Sequence, residues 1–281
     1  MNSAFLDIIP QWYKQENAHD LVLSDDIDSL ASCALLGMEK DDWKIKYFYN
    51  FTHCYSVTGL DKQENDRVWV DVAILQPEKA FDNHVSVINE KFKINKNMVN
   101  PNLMAEINNN RYNYKYAGST LLLLWSLYEM PLPRTEEGKM LLLCIDSAFK
   151  GHYNPKFAKT QNYYLSYLFQ LDELKDVIDR HTESEFYELI EKYKLNSKIE
   201  MDEKGYIHTD LPLDEIGDML GLDLSLPLEK FEQWKEYQIV HKNVYGFYNY
   251  PYRSETFTMA FTYKDTIRFS IERKEGEILL C

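Results

Sequence analysis

The sequence predicts an α/β fold with a smaller α+β part behind it. Three observations carry that expectation. Residues 21–36 (LVLSDDIDSLASCALL) pass from an apolar triplet, Leu21, Val22 and Leu23, through the acids Asp25, Asp26 and Asp28 into small residues and an apolar helical period. That is the pattern of a strand feeding a helix. Residues 67–74 (RVWVDVAI) form a second apolar strand carrying Asp71, and from Ser197 onward the chain alternates short strands with turns.

Each element follows from its local pattern. A helix is predicted over 29–37, a strand over 44–51 and a charged turn over 62–66, ahead of the Asp71 strand. Residues 84–116, rich in Asn, are expected to be irregular. Helices are predicted over 117–129 and 135–150, and the helical pattern continues through 155–170 and 171–179. Residues 183–193 (ESEFYELIEKY) place apolar side chains at i, i+3 and i+4, an amphipathic helix. Beyond Ser197, strands are predicted over 198–201, 206–209, 237–240, 256–263 and 266–272, with short helices near 213–220 and 228–236. There is no internal repeat.

Composition bounds the class. The chain has 281 residues, 45% of them hydrophobic, enough for two domains and a sizeable core. No apolar run approaches the roughly 18 residues of a membrane helix, and residues 117–127 are interrupted by Ser119, Thr120 and Ser126. The first residues (MNSAFLDIIPQWYKQ) show no basic region followed by an apolar one, so no secretion signal is expected. Cys33, Cys54, Cys144 and Cys281 are scattered and form no CxxC, which argues against a zinc ribbon. Cys33 and Cys144 read as core residues of a cytoplasmic protein.

With 45 acids against 31 bases the net charge is −14, which opposes a grip on long nucleic acid. Lys91, Lys93, Lys96, Arg111 and Lys115 form either a local groove or a solvated face. The aromatic run 245–252 (YGFYNYPY) reads as a packed turn, with a base-stacking platform as the alternative.

The chemistry concentrates at the strand ends, where open α/β sheets hold their ligands. Two carboxylates one residue apart, Asp26 and Asp28, suit two adjacent divalent cations serving in-line attack of water on phosphorus. The competing reading is that the acids cap the following helix.

The sequence Asp26-x-Asp28-Ser29-x-x-Ser32 resembles motif I of the DHH phosphoesterase superfamily, which includes RecJ exonucleases, nanoRNA phosphodiesterases, family II pyrophosphatases and exopolyphosphatases. Asp71 stands at the motif II aspartate, and Asp82-Asn83-His84 stands where Asp-His-His is usual. Asn100-Pro101-Asn102 is similar to the Asn-Pro-Asn turn of RecJ-like members, residues 112–128 to the helix that follows it, and Asp146 in 141–149 (LLLCIDSAF) to the motif IV aspartate. The likeness spans roughly residues 18–153. Two positions depart from it: Val22 replaces a histidine common before motif I, and Asn83 replaces a ligand histidine.

This resemblance implies a parallel-sheet metal domain over 1–153, a helical connector over 154–196 and a small substrate domain over 197–281. It implies two Mn or Mg ions, with Asp26 and Asp28 each on one ion, Asp71 bridging and Asp146 completing the second site; Asp25 or Asp82 would be further ligands. Asp82 and His84 are the candidate catalytic residues, orienting ligands or stabilising the leaving oxygen. Residues 265–276 (DTIRFSIERKEG) resemble the strand that presents an arginine to substrate phosphate, so Arg268 or Arg273 is the candidate there; the alternative is an exposed strand charge. None of the 10 glycines forms the family's Gly-Gly-Gly-His loop. The implied activity is phosphodiester hydrolysis on short or single-stranded nucleic acid or a nucleotide, away from membranes. Two alternatives are a catalytically degenerate binding or assembly protein, acting beside a partner protein, and a hydrolase of phosphoanhydrides.

Overall fold

A mixed nine-stranded sheet organises the chain, in the order β10-β11-β9-β3-β2-β1-β4-β5-β6. The computed structural model describes residues 1–62, 66–89, 94–244 and 255–273. Its first strands are β1 (Asp20–Leu23), β2 (Lys44–Tyr49), β3 (His53–Val57), β4 (Arg67–Val70), β5 (Lys79–Phe81) and β6 (Met98–Val99). β2, β1, β4, β5 and β6 run parallel, whereas β3 turns back antiparallel on β2. Leu21, Val22 and Leu23 are fully buried, as expected where a parallel strand is covered on both faces.

The helices are α1 (Ser3–Leu6), α2 (Ile27–Glu39), α3 (Pro101–Met104), α4 (Thr120–Leu127), α5 (Glu136–Cys144), α6 (Lys150–Tyr153), α7 (Ala158–Asn162), α8 (Asp172–Arg180), α9 (Glu183–Lys192) and α10 (Leu213–Leu220). α4 (TLLLLWSL) is apolar nearly all round and buried throughout, so it serves as core rather than as a surface helix. α2 packs against it. α9 starts with a Thr182/Glu185 capping box and stacks Phe186 on Phe149 at 4.6 Å. Among the described residues no helix is long and apolar enough to cross a membrane.

After the small hairpin of β7 (Ile199–Met201) and β8 (Ile207–Thr209), the chain rejoins the main sheet through β9 (Phe231–Asn243), β10 (Thr256–Tyr263) and β11 (Thr266–Glu272). The first half of β9 pairs with β3 and its second half with β11. The helix expected near 228–236 is therefore the start of a long strand: ladder pairing overrides a short local pattern that Phe231, Trp234 and Tyr237 satisfy only at helical spacing. β10 then runs beside the chain that leaves β4, through bonds from Leu75 N to Phe257 O and from Met259 N to Ala73 O.

Two further departures bear on the site. The strand expected over 67–74 stops at Val70 because Asp71 takes a left-handed backbone, φ 61°. The helix expected over 135–150 breaks after Cys144, where Asp146 and Ser147 have φ 52° and 53°. Asp tolerates that region better than most residues, and two in succession turn the chain out of the helix.

Ser29 joins the first two of these strand ends. Its buried hydroxyl accepts from Ser24 N at 2.7 Å and donates to Val70 O at 2.9 Å. Ser29→Ala leaves both backbone groups buried and unpaired, so urea unfolding should show a loss of about 2 kcal/mol. An unchanged midpoint would mean that the two strand ends are fixed by other contacts.

Candidate metal centre

Because β1, β4 and β5 run parallel, the residues that follow them gather along one edge of the sheet. Asp26 and Asp28 follow β1, Asp71 follows β4, and Asp82, Asn83 and His84 follow β5. The break after α5 delivers Asp146 to the same place. Asp28, Asp71 and Asp146 each offer a ligand atom within 4.8 Å of the others, and Asp71, Asp82 and His84 do the same.

The acids are held in different ways. Asp71 accepts from Thr120 Oγ1 at 2.8 Å. Asp28 accepts the backbone N–H groups of Thr120 and Leu121 at 2.7 and 2.8 Å, so its carboxylate also satisfies the start of α4. Asp26 caps α2 through Ser29 N at 3.3 Å and belongs to neither group of converging ligand atoms, although it lines a cavity together with Asp146. Lys198, from the segment just before β7, puts its ammonium 3.0 Å from Asp25 and 3.3 Å from Asp26. No local pattern marks Lys198 in the sequence; only the fold brings it there.

Asp82 is fully buried and accepts from His84 N at 3.1 Å and from Asn100 Nδ2 at 2.7 Å. His84 Nδ1 lies 2.7 Å from Asp82 Oδ1 and 3.8 Å from Asp71 Oδ1. Asn100 also donates to His84 O at 2.9 Å, and Asn102 donates to Asn83 O at 2.6 Å. The Asn-Pro-Asn turn thus braces the whole Asp82–His84 segment. Asn83 donates to Gly118 O and approaches Asp146 Oδ2 at 3.5 Å, so its side chain does face the acids. Gly118 sits so close to the Tyr116 ring that a Cβ would lie 2.5 Å from its hydroxyl.

Burial, reinforced by repulsion from neighbouring acids, raises Asp28 and Asp71 well above the usual carboxylate range. Asp146 is solvent-reached, but its carboxyl lies where the cavities meet; desolvation and repulsion from Asp26 push it up to about 6 against the pull of His84 and Asn83. For His84, burial opposes the charge, yet the Asp82 carboxylate and Asp146 outweigh it and raise the imidazole to about 9. The mutual repulsion that raises these carboxyls is what a hard, oxygen-seeking divalent cation would relieve, favouring their ionised form.

A cavity of about 370 Å³ opens beside the acids, with Asp71, Asn83, His84 and Asp146 on one side and Phe51, Thr258, Arg268 and Ser270 on the other. Past Asp146 a second space, about 880 Å³, is lined by Lys115, Lys150, Tyr112, Tyr153 and Phe157, and a third, about 240 Å³, by Asp26 and Lys198. Asp146 borders all three. Of the two candidate arginines, Arg268 lines the first cavity; Arg273 pairs with Glu236 at 2.5 Å and lines none of these spaces. Lys91, Lys93 and the 245–252 aromatic run lie outside the described residues.

Asp146 gives the cluster a testable sign. Its folded value of about 6 exceeds the ordinary 3.8, so the stability linked to its proton is full below 3.8 and lost as pH rises through 6. In chelator, the Tm should fall between about pH 4 and pH 6 and level off above that. Asp146→Asn should flatten that fall and raise Tm at neutral pH by about 2–4 °C, the shift that roughly 1 kcal/mol produces in a chain of this size. It should also abolish any rise in Tm on adding Mn. An unchanged Mn response would remove Asp146 from the ligand set.

Comparison of the chain with protein-family models, with curated proteins and with solved structures found no match, so the reading of this centre rests on its own residues and geometry.

Proposed function

We propose that the chain is a metal-dependent phosphodiesterase of the DHH, RecJ-like kind, acting on short single-stranded nucleic acid or a nucleotide. The observation that carries this reading is the convergence of Asp28, Asp71 and Asp146 within 4.8 Å, with Asp71 and Asp146 lining a cavity that Arg268 also lines. Asp26, Asp28, Asp71 and Asp146 would hold two Mn or Mg ions. Such ions supply positive charge to the phosphoryl oxygens and lower the pKa of water.

The chain's own groups complete the chemistry. Asp82 orients His84, whose protonated imidazole borders the cavity and is placed to donate to the leaving oxygen. Arg268 offers planar donors to the non-bridging oxygens. Lys115 and Lys150 line the larger space beyond Asp146, giving a short strand room to continue. The −14 charge disfavours long duplex. Cys33, Cys54 and Cys144 are buried and unpaired, which supports the cytoplasm as the site of action.

A second reading has its own support. Asp28 is committed to two helix N–H groups, and Lys198 already neutralises Asp25 and Asp26. These contacts favour a scaffold that binds but does not cleave.

Short single-stranded DNA and RNA, pyrophosphate and polyphosphate, incubated with Mn, separate the readings. Wild type should cut the short strands, Asp71→Ala should fall to background, and His84→Ala should lose at least about 10²-fold in kcat. Full nuclease activity in Asp71→Ala would assign the cleavage to another protein. Cleavage of phosphoanhydrides alone would turn the assignment toward pyrophosphatase-like chemistry, and stoichiometric Mn binding without turnover would favour the scaffold.

A further inference from the structure

The wall of the first cavity opposite the acids is built around a residue in an unfavourable conformation. β2 and β3 are joined by a two-residue loop, Phe51-Thr52, closed by a bond from Asn50 N to His53 O at 3.1 Å. Phe51, the first loop residue, has φ 69°, a position where hairpins normally place Gly, Asn or Asp. A bulky aromatic there is strained and persists only when its surroundings over-determine it.

The surroundings do so. Asn50 Oδ1 accepts from Thr52 N, Thr52 Oγ1 and His53 N at 3.2, 3.0 and 2.8 Å. Thr52 O accepts from Tyr237 N on β9 at 2.7 Å, fixing the loop to the strand that leads to β11. The Phe51 ring packs 5.1 Å from Tyr49 on one side, and the Arg268 guanidinium carbon lies 4.5 Å from its centroid. Among the described residues Arg268 has no ion pair, and its buried Nε lacks a hydrogen-bond partner. Its neighbours on the wall, Thr258 and Ser270, are by contrast tied to each other at 2.6 Å, and Tyr49 donates to Ser270 at 3.0 Å.

We infer that Phe51 is a positioning residue: its ring fixes the Arg268 guanidinium edge-free in the cavity, so that the arginine's unspent donors meet an anionic oxygen group of the ligand. A guanidinium stacked on an aromatic face keeps its in-plane donors available, and ordering it in advance spares the ligand that entropy cost. The strained loop conformation is retained because it delivers the ring to this place. The anion is a phosphate group, and that identification rests on the phosphoesterase reading above.

The test is calorimetric titration of inorganic phosphate, of adenosine 5′-monophosphate and of Mn alone, the first two in Mn-containing buffer. Wild type is compared with Phe51→Asn, Phe51→Leu, Phe51→Tyr and Arg268→Lys. Asparagine suits a left-handed backbone, so Phe51→Asn keeps the loop while removing the stack. Phosphate and adenosine 5′-monophosphate should both bind about 3- to 10-fold more weakly to Phe51→Asn, Phe51→Leu and Arg268→Lys, with Phe51→Tyr restoring affinity. Mn affinity should not change, and any hydrolysis should show a raised KM at constant kcat.

Equal phosphate affinity in wild type and Phe51→Asn overturns the inference and leaves the phosphoesterase reading standing. A wild type that binds phosphate but not the nucleotide, with Phe51→Asn weakening phosphate, supports the inference and removes the nucleotide from the proposed function. Binding of neither probe to wild type overturns it, and so does a Phe51→Asn variant that loses Mn affinity as well, since Phe51 would then serve the fold.

Discussion

The carboxylate of Asp28 is the contact on which the arrangement depends. It lies in the first turn of α2, fully buried, and takes the first free N–H groups of α4. α4 is too apolar to remain at a surface and, once buried, its starting amides need an acceptor that water cannot provide. A carboxyl group whose two oxygens each accept one of those amides meets that need. Thr120, the first residue of α4, in turn donates to Asp71 at the end of β4. Asp28, Thr120 and Ser29 together couple β1, α2, α4 and β4, and Asp28 and Asp71 form the base of the acid cluster.

That economy carries a cost. Buried carboxylates within 4.8 Å of one another repel, and an apolar filling of the same space would give a steadier fold. The strain is contained by polar bracing: Asn100 and Asn102 grip the Asp82–His84 segment, and Ser29 ties the ends of β1 and β4. Left-handed backbone at Asp71 and Asp146 adds to the local cost, in keeping with the tendency of such conformations to gather at working sites.

What was legible in the sequence is what local chemistry writes. An apolar triplet running into acids and then a helical period identifies β1 and α2, and the order of acids along the chain anticipates the set Asp28, Asp71 and Asp146. β10, β11 and α10 have the bounds their alternation and amphipathicity predict. Long-range pairing writes nothing locally. The start of β9 looked helical because its partner, β3, lies far away in the chain. Lys198 reaches Asp25 across an interval of 173 residues, and Phe51 looks like an ordinary aromatic until its φ and its neighbour Arg268 are known.

The division of β9 between two partners has a mechanical consequence. The strand that carries the acid-bearing sheet through β3 also carries the Arg268 wall through β11, as one unbroken backbone. β10 is bonded in turn to the chain that leaves β4. The two sides of the cleft thus behave as a folded plate rather than as jaws on a hinge. Widening the gap requires bending a hydrogen-bonded ladder, a stiff deformation, so the aperture is set during folding. Any ligand would have to enter through the mouth as built, so that selection by size would come at the threshold, before contact with the acids.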